Sequence, residues 1–352
     1  MTAVSDPYHL DLVKQFLYKR GFSDISSYKE KYLTRRILIR MRKQECVTFE
    51  DYYDILQQDD QEVNLLKKTL SVNVTEFFRD PDTWDTIRMI IREHINKKRS
   101  TEHSLRIWSA GCAVGPEPYS IAMIAHNILG SRNLQYNVKI YATDFNEELL
   151  QIARRGIYEG EILDNVPPDY LINYFDSFGK KAFRVKYNIR RMVDFGYLNL
   201  INSNFMWKNL DLIFCRNVLI YLDKDIQEVI MEKFHQCLIP DGYLVLGRTE
   251  ILHPSLREEK QFVTQSLKHR IYRKSGSATF TPRIKLKKMD QSKRFKCLRC
   301  GKIFSQLASL RVHERRDCGK IFRCKACGKK FDSEVRLRAH SKYFHQRGYG
   351  NI

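Results

Sequence analysis

Apolar positions recur at helical intervals through the first seventy residues. They do so over Tyr8–Tyr18 and again over Tyr28–Arg42, where Tyr32, Leu33, Ile37, Ile39 and Met41 form the stripe. Thr48-Phe49-Glu50-Asp51 reads as an N-cap with acids in the first turn, opening a helix to Leu56; Asp60–Leu70 predicts another. From residue 106 the period changes. Arg106–Ser109 predicts a buried strand, Ala110–Gly115 a small-residue turn, and Pro116-Glu117-Pro118 the start of a helix from Tyr119 to Leu129. Val138–Ala142 predicts a second strand, ending on Asp144, and Glu147–Gly156 a short helix. Tyr174–Leu200 reads as antiparallel β, with Ala182–Lys186 and Met192–Phe195 as its strands. Leu210–Asn217 is a buried strand, Asp225–Cys237 an amphipathic helix, Asp241–Leu246 a strand behind a Pro-Asp-Gly turn, and His269–Arg273 a last strand. Strands alternating with helices predict a doubly wound α/β sheet with its ligand at the carboxyl ends of the strands.

Strand, glycine turn, helix, strand and acid together make a dinucleotide-type βαβ unit, in which the acid accepts hydrogen bonds from ribose hydroxyls. The spacing departs from the phosphate-binding fingerprint. Gly111 and Gly115 stand alone, and Glu117 occupies a helix start that a pyrophosphate would want neutral or positive. A carboxylate there suits a cationic or hydroxyl-bearing ligand without phosphate, and S-adenosylmethionine fits. The plainer alternative is a structural turn with an incidental acid. Asp144, Glu117 and Cys215-Arg216-Asn217 all fall at predicted strand ends, which favours a site. Between the helical region and this unit, Ser71–Asp80 interleaves Asn73, Thr75 and Arg79 with apolar residues. It is either a partly buried linker or a lining of the cleft.

Charge divides the chain. The net charge is +20, yet 22 of the 61 basic residues and 5 of the 41 acidic ones lie from Lys274 onward, leaving a nearly neutral body and a basic tail. Five of nine cysteines are in that tail, and the other four are scattered as small buried residues would be. Ser275–Gln291 has no periodicity and reads as a linker. Two ligand sets then follow: Cys297, Cys300, His313 and Cys318, and Cys324, Cys327, His340 and His345. Thiolate and imidazole in fours predict two structural Zn2+ sites, each finger taking its folding energy from the metal. The positions that would meet bases are Gln306, Ser309 and Val312, then Ser333, Arg336 and Ala339, of which only Gln306 and Arg336 are strong readers. Non-specific nucleic-acid binding and a protein adaptor role both remain open. On the second helix, Lys29, Lys31, Arg35, Arg36, Arg40, Arg42 and Lys43 make a basic face, either solvated or a dock for an acidic surface. No apolar run reaches membrane-spanning length and the N-terminus lacks a signal peptide's plan, so a soluble, cytoplasmic protein is expected.

Five collinear stretches, VNVTEFFRD, WSAGCAVGPEPYS, YATDFNEELLQIARRGIY, LDLIFCRNVLIYLDKDIQE and IPDGYLVLGRTE, carry a family likeness. Over roughly residues 8–274 the chain resembles the CheR-type chemoreceptor glutamate methyltransferases. The resemblance implies a helical receptor-docking domain (1–80) and a Rossmann-like S-adenosylmethionine-dependent methyltransferase domain (81–274), with a small β-subdomain inserted at about 174–200. A linker (275–294) and two ββα zinc fingers (295–346) complete the organisation. The implied cofactor contacts are Asn73, Thr75, Arg79, Glu117, Asp144, Asn199, Leu200, Cys215 and Arg216. Arg79 and Tyr221 would border the transferred methyl group as catalytic residues, with no metal at that centre. Arg35, Arg36 and Arg40 would face acidic receptor helices. The implied activity is methylation of receptor glutamates in chemotaxis adaptation. The alternative is a lapsed, cofactor-sensing body that binds nucleic acid or protein through its fingers. Three departures stand out: Pro116 replaces a usual acid, GRTE replaces GHSE with Glu250 kept, and the loop between Tyr174-Phe175 and Phe183-Arg184 is short. Tethering to a receptor tail is therefore not expected.

Overall fold

The computed structural model describes residues 7–22, 24–70, 75–97, 104–130, 136–258 and 261–276, together with four two-residue strands in the tail. The chain divides into two compact units, Met1–Ala278 and Thr279–Ile352.

The first unit opens with four helices, α1 (Pro7–Lys19), α2 (Glu30–Lys43), α3 (Phe49–Gln58) and α4 (Asp60–Leu70). Their apolar stripes converge: Leu33, Ile37 and Met41 of α2 are buried with Tyr52 and Leu56 of α3 and Val63 and Leu66 of α4. Thr48 caps α3 through a complete capping box with Asp51, each side chain taking the other's backbone N–H.

One expectation fails here. Arg40 is only 6% exposed, and its guanidinium grips the fully buried Glu62 through Nε (2.9 Å) and Nη2 (2.5 Å). Tyr52 and Gln44 also donate to that carboxylate, at 2.7 and 2.6 Å. Arg40 thus ties α2 to α4 and does not face a partner; helical periodicity places it seven residues after Leu33 and three after Ile37, on the buried face of α2. Burial works to raise the Glu62 carboxyl, but the bonds from Arg40, Tyr52 and Gln44 outweigh it and hold it below its ordinary value. A carboxyl depressed in the fold contributes stability above the unfolded value and loses it as pH falls through the folded one. Arg40→Ala is expected to destabilise this unit by about 3 kcal/mol by stranding a buried charge. Urea unfolding at pH 7 against pH 4 checks this, with the mutant's deficit shrinking in acid.

After α5 (Pro81–Lys97) come β1 (Ser104–Ala110), α6 (Pro116–Leu129), β2 (Asn137–Asp144) and α7 (Glu147–Arg155). Next are β3 (Ile157–Glu159), α8 (Pro168–Tyr174), β4 (Phe175–Phe178), β5 (Ala182–Val185), α9 (Tyr187–Arg190) and β6 (Val193–Tyr197). The unit closes with β7 (Leu210–Cys215), α10 (Lys224–Cys237), β8 (Leu238–Leu246), α11 (Pro254–Glu258), β9 (Phe262–Ser266) and β10 (Ile271–Lys274). The main sheet has seven strands in the order β6-β2-β1-β7-β8-β10-β9. The first five are parallel, and β10 is antiparallel to both its neighbours, β8 and β9. Alternate residues feed two cores. Trp108, Ile213 and Cys215 face the N-terminal helices and α10, while Ile107, Leu212 and Phe214 face α5 and α6.

The inserted β region differs from expectation. The small sheet is β3-β5-β4, within residues 157–185. The stretch 193–197, expected as its hairpin partner, instead runs parallel to β2 in the main sheet, with Ile140 paired to Val193 and Asp144 to Tyr197. The helical turn α9 carries the chain from one sheet to the other, and β2's outer edge gains backbone partners it would otherwise lack. Strand β9 was not foreseen, because an edge strand with Val263, Thr264 and Gln265 exposed shows no alternation.

In the second unit, β11 (Phe295–Lys296) pairs antiparallel with β12 (Ile303–Phe304), and β13 (Phe322–Arg323) with β14 (Lys330–Phe331). Each hairpin brackets one Cys-x2-Cys pair; all eight expected zinc ligands lie outside the described residues.

Candidate active site

Parallel strands end together, so the turns that follow them share one rim. After β1, the chain bends through Gly111 (φ +78) and Ala113 (φ +49) to Gly115 (φ +97), which starts α6. A Cβ on Gly111 would sit 2.4 Å from Val218 Cγ2, so only glycine lets this turn meet the loop after β7. Both Gly111 N–H and Cys112 N–H donate to the Thr143 carbonyl at the end of β2, at 2.8 and 2.9 Å. Asp144 follows directly. Its carboxylate accepts from Ala113 N–H (2.9 Å) and Asn146 N–H (3.0 Å), which fixes it on the rim with acceptor capacity still available. Burial raises its pKa above the ordinary carboxylate range, partly offset by those backbone bonds.

Glu117, in the first turn of α6, accepts from Ser109 Oγ at 2.7 Å and lies 3.6 Å from Arg216 Nη1. Burial raises this carboxyl as well, against Arg216 and Ser109. Arg216 emerges from the end of β7 over the Trp84 ring, its Cζ 5.6 Å from the ring centroid. Its Nη2 donates to the Arg79 carbonyl (3.0 Å) and to Asp80 (2.7 Å). Its Nε is a buried donor with no hydrogen-bond partner among the described residues. Trp84 Nε1 holds the same Arg79 carbonyl at 2.9 Å. Phe78 (φ +50) and Asp80 (φ +58) flank Arg79 in left-handed conformations, so the turn is strained and pinned.

The loop after β7 is organised by a residue with no assigned role in the sequence reading. Glu250 is buried, and its carboxylate accepts from Gly247, Asn217, Val218, Leu219 and Ile220 N–H groups at 2.6 to 3.2 Å. Tyr221 comes next in the chain. Opposite it, Tyr28 and Tyr32 from the helical domain close the cavity; the Tyr32 and Tyr221 ring centroids are 4.7 Å apart.

One cavity, about 1070 Å³ with its open mouth included, gathers these groups. Of the expected cofactor and catalytic residues, Thr75, Arg79, Glu117, Asp144, Asn199, Leu200, Arg216 and Tyr221 line it. Asn199 is set by its side chain, which donates to Asp24 (3.0 Å) and accepts from Ile201 N–H (2.9 Å). Cys215 does not reach the wall. Its thiol is fully buried in the core because strand alternation points it away from the rim, and any contact it makes there is through backbone. Asn73 lies outside the described residues. Asn217, singled out with Arg216 at a strand end, lines the cavity too; Tyr28, Tyr32 and Trp84 also line it and were not foreseen, the tyrosines reading as part of a helix's apolar stripe.

The wall suits S-adenosylmethionine: carboxylates at the end of β2 and the start of α6 for hydroxyl and ammonium groups, arginine for a carboxylate, and a glycine turn where Cβ atoms would intrude. Because burial makes Asp144 and Glu117 take up protons at a higher pH than exposed carboxylates, affinity for this ligand is expected to fall as pH drops from neutral into the acid range. Isothermal titration with S-adenosylhomocysteine across that range checks it; a flat profile would discount both carboxylates as ligands.

Comparison with known proteins agrees with this geometry. Residues 73–269 match the family model "CheR methyltransferase, SAM binding domain", and residues 9–71 match "CheR methyltransferase, all-alpha domain". Residues 295–316, the first tail repeat, match "Zinc finger, C2H2 type". A chemotaxis protein methyltransferase of Borreliella burgdorferi is 32% identical over 243 residues, 68% of this chain and 86% of that protein. One from Escherichia coli is 34% identical over 254 residues, 70% and 85% respectively.

Proposed function

The chain belongs to the CheR methyltransferase family, and from that premise we propose that it transfers a methyl group from S-adenosylmethionine to glutamate side chains of chemoreceptors. The observation that carries this reading is the convergence of Asp144, Glu117, Arg79 and Tyr221 on one cavity beneath a helical roof.

S-adenosylmethionine, when bound, supplies an electrophilic methyl on a sulfonium. Asp144 accepts from ribose hydroxyls, and Glu117, held by Ser109, faces hydroxyl or ammonium. Arg79 holds the acceptor carboxylate, with its backbone locked by Trp84 and Arg216. A glutamate is already ionised near neutral pH, so no strong general base is required. Anion and cation become neutral products, and the gain comes from orientation in a partly dry cleft, which Tyr28, Tyr32 and Leu70 roof.

Receptor docking falls to the outer face of α2, where Lys31 and Arg35 are exposed and Arg36 half-buried; Arg40 is excluded by its burial. Among the described residues no helix is long and apolar enough to cross a membrane, and we place the protein in the cytoplasm, where receptor helices present their glutamates. Each tail ligand set would hold one structural Zn2+. Just GKIFR separates Cys318 from Cys324, too short a link for fingers to track a groove, and this favours an adaptor for an acidic protein surface over DNA reading.

The test is transfer of radiolabelled methyl from S-adenosylmethionine to receptor-rich membranes, by the full chain and by a form ending near Lys274. Base-labile label from both supports esterification, and a rate difference, or its loss on chelation, measures what the fingers add. Intact cofactor binding with no label from either form sinks the receptor reading. A salt-sensitive DNA shift would move the fingers to nucleic acid.

A further inference from the structure

On helix α2, Tyr32 and Arg36 stand one turn apart on the same side, between the cavity and solvent, and their side chains touch. On the inner side Tyr32 lies against the Tyr221 ring, with its hydroxyl donating to the Leu70 carbonyl at 2.5 Å. Both rings line the cavity. The backbone repeats the link: Lys29 N–H donates to the Tyr221 carbonyl (2.9 Å), and Lys29 Nζ donates to the Ile220 carbonyl (2.7 Å). The start of α2 therefore clamps the same short turn that Glu250 organises from the other side. One turn on, the half-buried Arg36 guanidinium stands over the Tyr32 ring, 5.4 Å from its centroid. Arg35, one position earlier, is exposed and takes no part in this stack.

We propose that Tyr32 is a positioning residue for the methyl-transfer site, acting through Tyr221, and that Arg36 couples its placement to an acidic surface docked on α2. The second half rests on the docking reading above; the first does not. An acidic partner competes with the Tyr32 ring for the Arg36 guanidinium, because a carboxylate binds arginine more strongly than an aromatic face does. Withdrawal of Arg36 leaves the Tyr32 ring held by Tyr221 and the Leu70 carbonyl alone, and so alters its placement against Tyr221. Substrate arrival is thus reported to the cavity by one side chain.

The experiment uses the full chain with Tyr32→Phe, Tyr32→Leu, Arg36→Gln and Arg35→Gln. S-adenosylhomocysteine affinity is measured by calorimetry without receptor, and kcat and KM by methyl transfer to receptor membranes. Tyr32→Leu is expected to weaken cofactor affinity and kcat each by about 10-fold, and Tyr32→Phe, which keeps the ring, to restore both to within about 3-fold. Arg36→Gln is expected to shift cofactor affinity about 3-fold and to change kcat as well as KM. Arg35→Gln is expected to raise KM alone. Wild-type cofactor affinity in Tyr32→Leu overturns the positioning role. An Arg36→Gln profile matching that of Arg35→Gln overturns the coupling. Should no receptor preparation be methylated, the docking reading fails, and the calorimetric comparison of Tyr32→Leu with Tyr32→Phe still decides the positioning role.

Discussion

Asp144→Ala is expected to weaken binding of S-adenosylhomocysteine by about 100-fold, the loss of two hydrogen bonds from a charged acceptor. The carboxylate stands at the end of β2, where Ala113 and Asn146 N–H groups fix both its oxygens. Alanine removes the ligand's acceptor and strands those two donors, so the turn carrying Gly111 and Cys112 loosens as well. Asp144→Asn separates the effects: it keeps one oxygen but sets an amide NH2 against a backbone N–H. Its affinity should fall less than that of the alanine variant, by about 10-fold. Titration calorimetry reads both. Wild-type affinity in Asp144→Ala would place the ribose elsewhere and undo the cavity assignment.

Glu250→Gln is expected to lower kcat by about 100-fold, the scale at which small misplacement of a reacting group is felt. Five backbone N–H groups converge on this buried carboxylate from Gly247 and from the run Asn217 to Ile220. Glutamine replaces one oxygen with a donor that faces those donors, so the run must shift. Tyr221 is the next residue, and Asn217 (φ +61) begins the run in a left-handed conformation. Neighbours leave no slack: a Cβ on Gly247 would lie 2.8 Å from Glu250 Oε2. Burial raises the Glu250 carboxyl above its ordinary range, against those backbone bonds. A carboxyl raised in the fold contributes stability that is complete below its unfolded value and is lost as pH rises through the folded one. The variant's deficit in melting temperature should therefore be smaller at neutral pH than the kcat loss suggests. Steady-state methyl transfer with a parallel thermal melt separates the two; unchanged kcat would remove Glu250 from the machinery that sets Tyr221.

How far the chain could be read varies by residue. Thr48 and Asp51 announce their capping box in four letters, because both partners are local. Glycines 111 and 115, Glu117 and Asp144 sit within forty residues of one another in a βαβ unit whose geometry is fixed by strand and helix periods. Arg40 shows the limit. In sequence it is one of seven cations on a basic helix; its partner, Glu62, is a turn and a helix away, and only packing of α2 on α4 makes it internal.

The sequence alone therefore determined the order of most helices and strands, the rim on which the cavity lies, the two carboxylates that line it and the cysteine–histidine spacing of the tail. Each depends on backbone period and near-neighbour chemistry, which a linear pattern records. The tertiary structure alone decided that β6 joins the main sheet, that Cys215 turns inward, that Glu250 gathers a distant loop and that Tyr28 and Tyr32 roof the cavity. These depend on which surfaces meet after the chain has closed loops of tens to hundreds of residues. Burial and hydrogen-bond satisfaction across that interval choose the partners, and no local period carries them.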